Sequence, residues 1–265
     1  MGQWARGLIA VCAAVAFGAP IALAGEADRI QTDRPSVSNS TNTVPPGAVQ
    51  IEGGVEYSRA SVGGGPDERR LALGVALRAG LTERLEVRLE GEPLVRLRGE
   101  QDDTGNGDLS LGAKYRLFEA REGSWWPSLG ALPFVTLPIA HAPHGSDLPD
   151  FGLIGLASFE LPWRLSLDVN AGLAAVGQSR PSGYLVQGLA SAALARELGE
   201  RWSTYAEVFY ASAAERGARD VVGLDAGVQY FLTSRIALDA AVETSLAGPG
   251  ADYAFRAGVS VRFGR

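Results

Sequence analysis

Disulfides are the first thing this sequence excludes. It holds one cysteine, Cys12, inside an N-terminal segment with the marks of a secretory signal. Arg6 supplies the positive end, residues 7–20 are small and apolar, and Ala22-Leu23-Ala24 is a small-x-small site, so cleavage is expected before Gly25. The mature chain then has no cysteine to pair. Val11 is a poor residue to precede a lipidated cysteine, so a lipid anchor is not expected either. Long apolar runs are also missing. Beyond residue 24 none approaches the roughly 18 residues of a helical membrane span. Nor is there a basic surplus: losing residues 1–24 removes Arg6 and no acid, taking the net charge from -6 to -7, which argues against nucleic acid as a partner. Glycine, by contrast, is plentiful at 34 residues, and lysine is scarce, a composition that suits a sheet protein with many turns. An exported chain that crosses a membrane without helices must close into a barrel, because hydrocarbon offers no partner to a free sheet edge.

The pattern that is present is alternation. Over residues 222–232 every second residue is apolar (Val222, Leu224, Ala226, Val228, Tyr230, Leu232), and the intervening set contains Asp225 and Gln229. After Thr233-Ser234-Arg235 the alternation restarts with Ile236, Leu238, Ala240, Val242 and Thr244 against Ala237, Asp239, Ala241 and Glu243. Period two means strand, since successive side chains of an extended chain point to opposite faces. Two such runs joined by a short polar turn make an antiparallel hairpin. Strands of about ten residues match a tilted crossing of a roughly 30 Å hydrocarbon layer.

The same rule runs through the chain. Residues 25–47 form a polar leader, periplasmic or lying in a lumen as a plug, and Pro45-Pro46-Gly47 ends it. From residue 48 to 265 alternation predicts about twelve strands, an all-β, transmembrane, antiparallel up-and-down barrel. Its sharpest strand opposes Leu85, Val87, Leu89, Gly91, Pro93, Val95 and Leu97 to Glu86, Arg88, Glu90, Glu92, Leu94, Arg96 and Arg98. Residues 177–183 read as a loop. The phase is weakest over residues 129–137, 151–159 and 184–195, where apolar residues occupy both faces.

Three features of the sequence favour a membrane barrel over a soluble sandwich or a lipocalin-like barrel. None of the twelve lipid-facing sets contains Asp, Glu, Lys or Arg, and an Arg or Lys there would cost about 2–4 kcal/mol at mid-bilayer. Long and short connections alternate, as outer loops and periplasmic turns do, with residues 119–126 the one lengthened turn. Trp125, Trp126, Trp163 and Trp202 all fall at the short-turn ends, where an aromatic girdle belongs.

The leader and first strand, Gln31-Thr32-Asp33-Arg34-Pro35-Ser36 through Asn42-Thr43-Val44-Pro45-Pro46-Gly47 into Val49-Gln50-Ile51-Glu52-Gly53, are similar to the opening of the outer-membrane barrel family named for the MetA pathway of phenol degradation. Gly107-Asp108-Leu109-Ser110-Leu111-Gly112-Ala113-Lys114-Tyr115 and Leu81-Thr82-Glu83-Arg84-Leu85 resemble its later segments. The resemblance implies an outer-membrane channel or transporter for small, aromatic or apolar, solutes, with Thr32, Asp33, Arg34 and Pro35 as the specific leader motif. Expected partners are outer-membrane lipid, a small-molecule solute and the barrel assembly machinery. Barrels of this kind usually stop at an aromatic residue, whereas Gly264 and Arg265 follow Phe263 here.

Candidate lumen residues follow from the inner faces. Glu52, Glu56, Arg70, Arg78, Glu86, Arg88, Glu90, Glu92, Arg96, Arg98, Lys114 and Arg116 form a mixed-sign set, either a polar constriction for a solute or a salt-bridge network filling a narrow bore. Leu132, Phe134, Ile154, Leu156, Leu185 and Leu189 make an apolar inner wall, which either receives the leader or lines a path for an apolar solute. An enzyme is not expected. The only histidines, His141 and His144, share one glycine- and proline-containing loop with Ser146, without the rigid frame that a histidine base and serine nucleophile need in a phospholipase-type hydrolase. No cofactor or metal site is expected: an EF-hand frame starting at Asp102 would put Ala113, not Glu, at its last ligand position, and Gly63-Gly64-Gly65 lacks the rest of a phosphate loop. The rival to a channel is a closed structural or surface-interaction barrel.

Overall fold

The computed structural model describes residues 29–61, 66–100, 102–121, 123–141, 144–145, 148–179 and 181–264. The expected signal over residues 1–24, Gly63-Gly64-Gly65 and Ser146 lie outside the described residues. In chain order come β1 (Val49–Ala60), β2 (Glu68–Thr82), β3 (Leu85–Arg98), the short β4 (Asp103–Gly105), β5 (Leu109–Phe118), β6 (Ser128–Leu137), β7 (Asp150–Leu161), β8 (Leu165–Ser179), β9 (Ser182–Glu197), β10 (Trp202–Ala211), β11 (Val221–Thr233), β12 (Ile236–Ala247) and β13 (Tyr253–Phe263). All pairings among them are antiparallel. β1 pairs with β13 from Val49↔Phe263 to Arg59↔Tyr253, so the sheet closes on itself and no edge is left to hydrocarbon. β4 pairs with the far end of β3 and tops the wall there, so the barrel proper has twelve strands.

Alternation sorts the side chains by face. Leu224, Val228, Leu238 and Val242 are exposed on the outside of β11 and β12, while Asp225, Phe231, Asp239 and Ala241 are buried inside. Elsewhere Val55, Leu77, Leu153, Leu173, Val186 and Phe255 are exposed, and Gln50, Glu52, Arg78, Glu86, Lys114 and Glu207 are buried. An apolar exterior around a polar interior inverts the arrangement of a soluble protein and suits a hydrocarbon surround. Trp125, Trp126, Trp163 and Trp202 are exposed at the end of the barrel that carries the short turns 83–84, 162–164, 198–201 and 234–235.

Two expectations are corrected. In β3, Leu73 faces Leu94 but Val75 faces Gly91, so Glu92 and Pro93 together oppose Gly74, a β-bulge. Every side chain beyond it changes face. Val95 turns inward, 2% exposed, and Leu94 turns outward, 46% exposed. Arg96 and Arg98, read from the sequence as lumen-lining, stand on the outer face opposite Leu71 and Arg69, so the lipid-facing set of this strand does carry charge. Pro93 has no N–H to give the ladder, which is why the irregularity sits there. The second correction concerns residues 177–183. Most of them are strand: β8 and β9 pair as far as Ser179↔Ser182, and Gly177 and Gly183 sit within the ladder opposite Tyr184 and Gln178.

Candidate functional site: the occupied lumen

The leader enters the barrel. At the short-turn end Ile30 packs with Phe231 and Ala237, and its N–H donates to the carbonyl of Ser234 at 2.8 Å. The chain then rises into the bore, where the Val37 and Ser38 N–H groups donate to Glu207 at 2.7 and 2.6 Å. It crosses to β8, with Asn39 N–H donating to Asn170 Oδ1 at 2.7 Å and Asn170 Nδ2 donating back to the Asn39 carbonyl at 2.9 Å. It descends past Ser158, which accepts from Thr41 N–H at 2.9 Å, and past Glu86, which accepts from Val44 N–H at 2.9 Å. Gly47 N–H donates to the Gly80 carbonyl at 2.9 Å before β1 begins. Residues 30–47 are thus a hairpin-shaped insert whose backbone donors meet acceptors on the barrel wall. A non-regular segment within a membrane barrel needs such partners.

Charge holds the insert most firmly at its first limb. The Asp33 carboxylate accepts from Lys114 Nζ at 2.8 and 3.0 Å and lies 3.1 Å from Arg88 Nη1 and 3.3 Å from Arg78 Nη2. Burial opposes the charge on Asp33, but Arg78, Lys114 and Arg88 outweigh it and hold this carboxyl well below the usual carboxylate range. Arg78, fully buried, also donates to Glu52 at 2.6 Å and to both oxygens of Glu86 at 2.8 and 2.9 Å. Arg34 lies in a slot of glycines. Gly54 faces Gly258 on β13 and Gly74 on β2, and a Cβ on Gly54 would come 2.2 Å from Arg34 Nη2. The Arg34 guanidinium reaches Asp239 at 3.3 Å. Gln229 donates to Thr32 Oγ1 at 2.8 Å and to the Arg34 carbonyl at 2.6 Å, and Arg256 donates to the Pro35 carbonyl at 3.1 Å. Every member of the Thr32-Asp33-Arg34-Pro35 motif therefore has a partner on the wall.

On the long-loop side of the insert lies a cavity of about 520 Å³. It is lined by Asp33, Arg34, Ser36 and Asn39 of the leader and by a continuous stretch of the inner face, from Arg88, Glu90 and Glu92 on β3 across Ser110 and Gly112 on β5 to Leu132, Phe134 and Ile154 on β6 and β7. The structure therefore gathers nine of the sequence-derived polar candidates, Glu52, Glu56, Arg70, Arg78, Glu86, Arg88, Glu90, Glu92 and Lys114, into ion pairs or hydrogen bonds of the interior, with Arg70 bridging Glu56 at 3.0 Å and also Glu92. Arg116 sits at the short-turn rim, donating to the Glu83 carbonyl at 2.6 Å. Leu156 is 2% exposed on the inner face beside the leader, and Leu185 and Leu189 point inward higher on β9. Gln50, Asn170, Glu207, Gln229 and Arg256 were not singled out by sequence reasoning. Alternation already put most of them inside, but only the leader's course shows which inward groups it meets.

His144 is buried against Asp103, with Nε2 3.3 Å from Oδ2, and packs over Gly105. Asp102 pairs with Arg98, and Asp108 accepts from Ala140 N–H at 2.8 Å. These carboxylates answer protein groups, and no cluster of three metal-type ligands occurs among the described residues.

The sequence pattern of one family, described as "Putative MetA-pathway of phenol degradation", matches residues 32–263. The chain belongs to this family. The match takes in the Thr32-Asp33-Arg34-Pro35 motif and the whole barrel, so leader and wall belong together in the MetA-pathway family. None of the curated proteins matches the chain. Among solved structures, an outer membrane channel from Pseudomonas putida F1 superposes with a TM-score of 0.67 at 17% identity, covering 89% of this chain and 100% of that one. The NanC porin gives 0.53 at 12% identity over 80% of this chain and 98% of that one. The β domain of the Bordetella autotransporter BrkA also gives 0.53, at 18% identity over 82% and 100%. The fold is that of outer-membrane channels, porins and autotransporter translocators, and at these identities the likeness speaks for architecture alone.

Proposed function

We propose that this MetA-pathway family member is an exported outer-membrane channel, not an enzyme, that passes small solutes with an aromatic or apolar face and is closed at rest by its own leader. In this reading residues 1–24 are the signal, residues 25–47 the leader and residues 48–265 the barrel, inserted by the barrel assembly machinery into outer-membrane lipid. The observation that carries it is the vestibule, charged along one part of its lining and apolar along the next. A cavity whose lining passes from Arg88, Glu90 and Glu92 on β3, across β5, to Leu132, Phe134 and Ile154 on β6 and β7 suits a molecule with a polar edge and an apolar ring, since pockets bind by apolar walls and orient by a few polar groups. A sugar would leave the apolar wall unmatched, and an alkane would leave the charged wall dry.

Phe134→Ser tests this directly. In proteoliposomes the variant is expected to slow phenol entry several-fold and leave arabinose entry unchanged, measured side by side with wild type. Equal slowing of both solutes, or of neither, contradicts the vestibule as the selective element. The rival reading, a closed structural barrel, is favoured by the density of ion pairs between leader and wall, and it predicts no uptake of phenol above protein-free vesicles.

A further inference from the structure

The bulge in β3 places positive charge on the outside of the barrel at the long-loop end. Arg59, Arg69 and Arg98 stand directly opposite one another across β1, β2 and β3, and Arg96 lies one row nearer the membrane, opposite Leu71. Like charges directly across a sheet destabilise it, so such a row calls for a counter-charge. Asp67 answers Arg59 at 3.0 Å and also feels the charge of Arg69, and Asp102 answers Arg98 at 3.7 Å with both side chains half exposed or more. Arg69 and Arg96 are exposed, and their side chains make no hydrogen bond or ion pair among the described residues. Beneath the row the wall is apolar, with Leu71 and Leu94 exposed, and Tyr57 and Tyr253 meet at 6.5 Å between ring centroids beside it. Tyrosines mark the level of lipid headgroups. Arginine facing lipid costs little at that level but much at mid-bilayer.

We propose that Arg69, Arg96 and Arg98 form a docking site for the phosphate groups of an anionic lipid in the leaflet that meets the long loops. The guanidinium fork matches phosphate in a bidentate way. Acyl chains below the headgroup would lie along the apolar strip of Leu71 and Leu94. The site goes beyond solute passage and rests only on the barrel being embedded in a membrane.

The test is native mass spectrometry of the purified full chain in non-ionic detergent, titrated with bisphosphorylated lipid A. The triple variant Arg69→Gln, Arg96→Gln, Arg98→Gln is compared with Arg84→Gln, Arg201→Gln, Arg235→Gln, which removes the same charge at the short-turn end, and heat-modifiable migration verifies that each is folded. With about a factor of five in affinity per basic residue near a lipid surface, the outer triple variant is expected to bind lipid A about 100-fold more weakly. The short-turn variant is expected to bind as wild type does. Diacylglycerol, which lacks phosphate, is expected not to bind, and millimolar inorganic phosphate not to displace lipid A. Equal lipid A binding by wild type and the outer triple variant overturns the proposal, as does equal loss in both variants or displacement by inorganic phosphate. Were the mature chain folded and soluble without detergent, the membrane reading would fail first, whereas loss of lipid selectivity alone would leave it standing.

Discussion

Deleting residues 31–44 is expected to raise single-channel conductance several-fold. These residues carry the contacts that fill the bore: Asp33 on Lys114, Arg34 in its glycine slot, Val37 and Ser38 on Glu207, Asn39 on Asn170 and Val44 on Glu86. Without them the inner faces of β1–β3, β5, β8 and β10 are left to water. The barrel wall remains closed by its own ladder, β1 to β13, so the deletion opens a path without removing a strand. Planar-bilayer recording of the refolded variant beside wild type reads the effect. An unchanged conductance would mean that the leader is not the obstruction.

Replacing Arg78 by alanine is expected to cost the most stability of any single change in the lumen. Arg78 is fully buried and is the shared partner of Glu52, Glu86 and Asp33. Removing one partner of a buried ion pair leaves an uncompensated charge and costs about 3–5 kcal/mol. Here three carboxylates are affected, and of the three Lys114 hydrogen-bonds Asp33 alone, its remaining bond going to the Asn42 carbonyl. By contrast Arg84→Ala, at the exposed turn between β2 and β3, is expected to stay within about 0.5 kcal/mol. Urea unfolding midpoints of the two variants in the same detergent compare them. A midpoint for Arg78→Ala equal to that of wild type would show that water reaches the cluster and screens it.

How much of this could be read in advance depended on how local the signal was. Period-two alternation is a local property, so the hairpin of β11 and β12, the inward charges from Glu52 to Lys114 and even the inward Leu132, Phe134 and Ile154 were legible from residue order. The bulge in β3 was not, because alternation assumes an unbroken ladder. The cue was present in Pro93, which cannot donate to a neighbour and is confined to edges and bulges, and taking it up would have moved Arg96 and Arg98 to the outside. The extension of β8 to Ser179 and of β9 back to Ser182 is hidden by glycines that serve as strand residues rather than turn formers. The leader's course was hidden for a different reason. Residues 30–47 have no periodicity, and their partners lie as far away as Gln229 and Asp239, so only the closed barrel brings Arg34 to the slot formed by Gly54, Gly74 and Gly258. Glycine abundance suggests turns, yet these glycines make room for a side chain.

In the proposed channel, solute passes only when the leader leaves its seat. The mature chain offers no competing thiol, so Ser38→Cys with Ser191→Cys, whose hydroxyl oxygens lie 2.7 Å apart, can tie the insert to β9. In proteoliposomes the oxidised protein is predicted to admit phenol no faster than protein-free vesicles, and reduction by dithiothreitol to restore the wild-type rate. Equal phenol entry through the oxidised and reduced protein would contradict it.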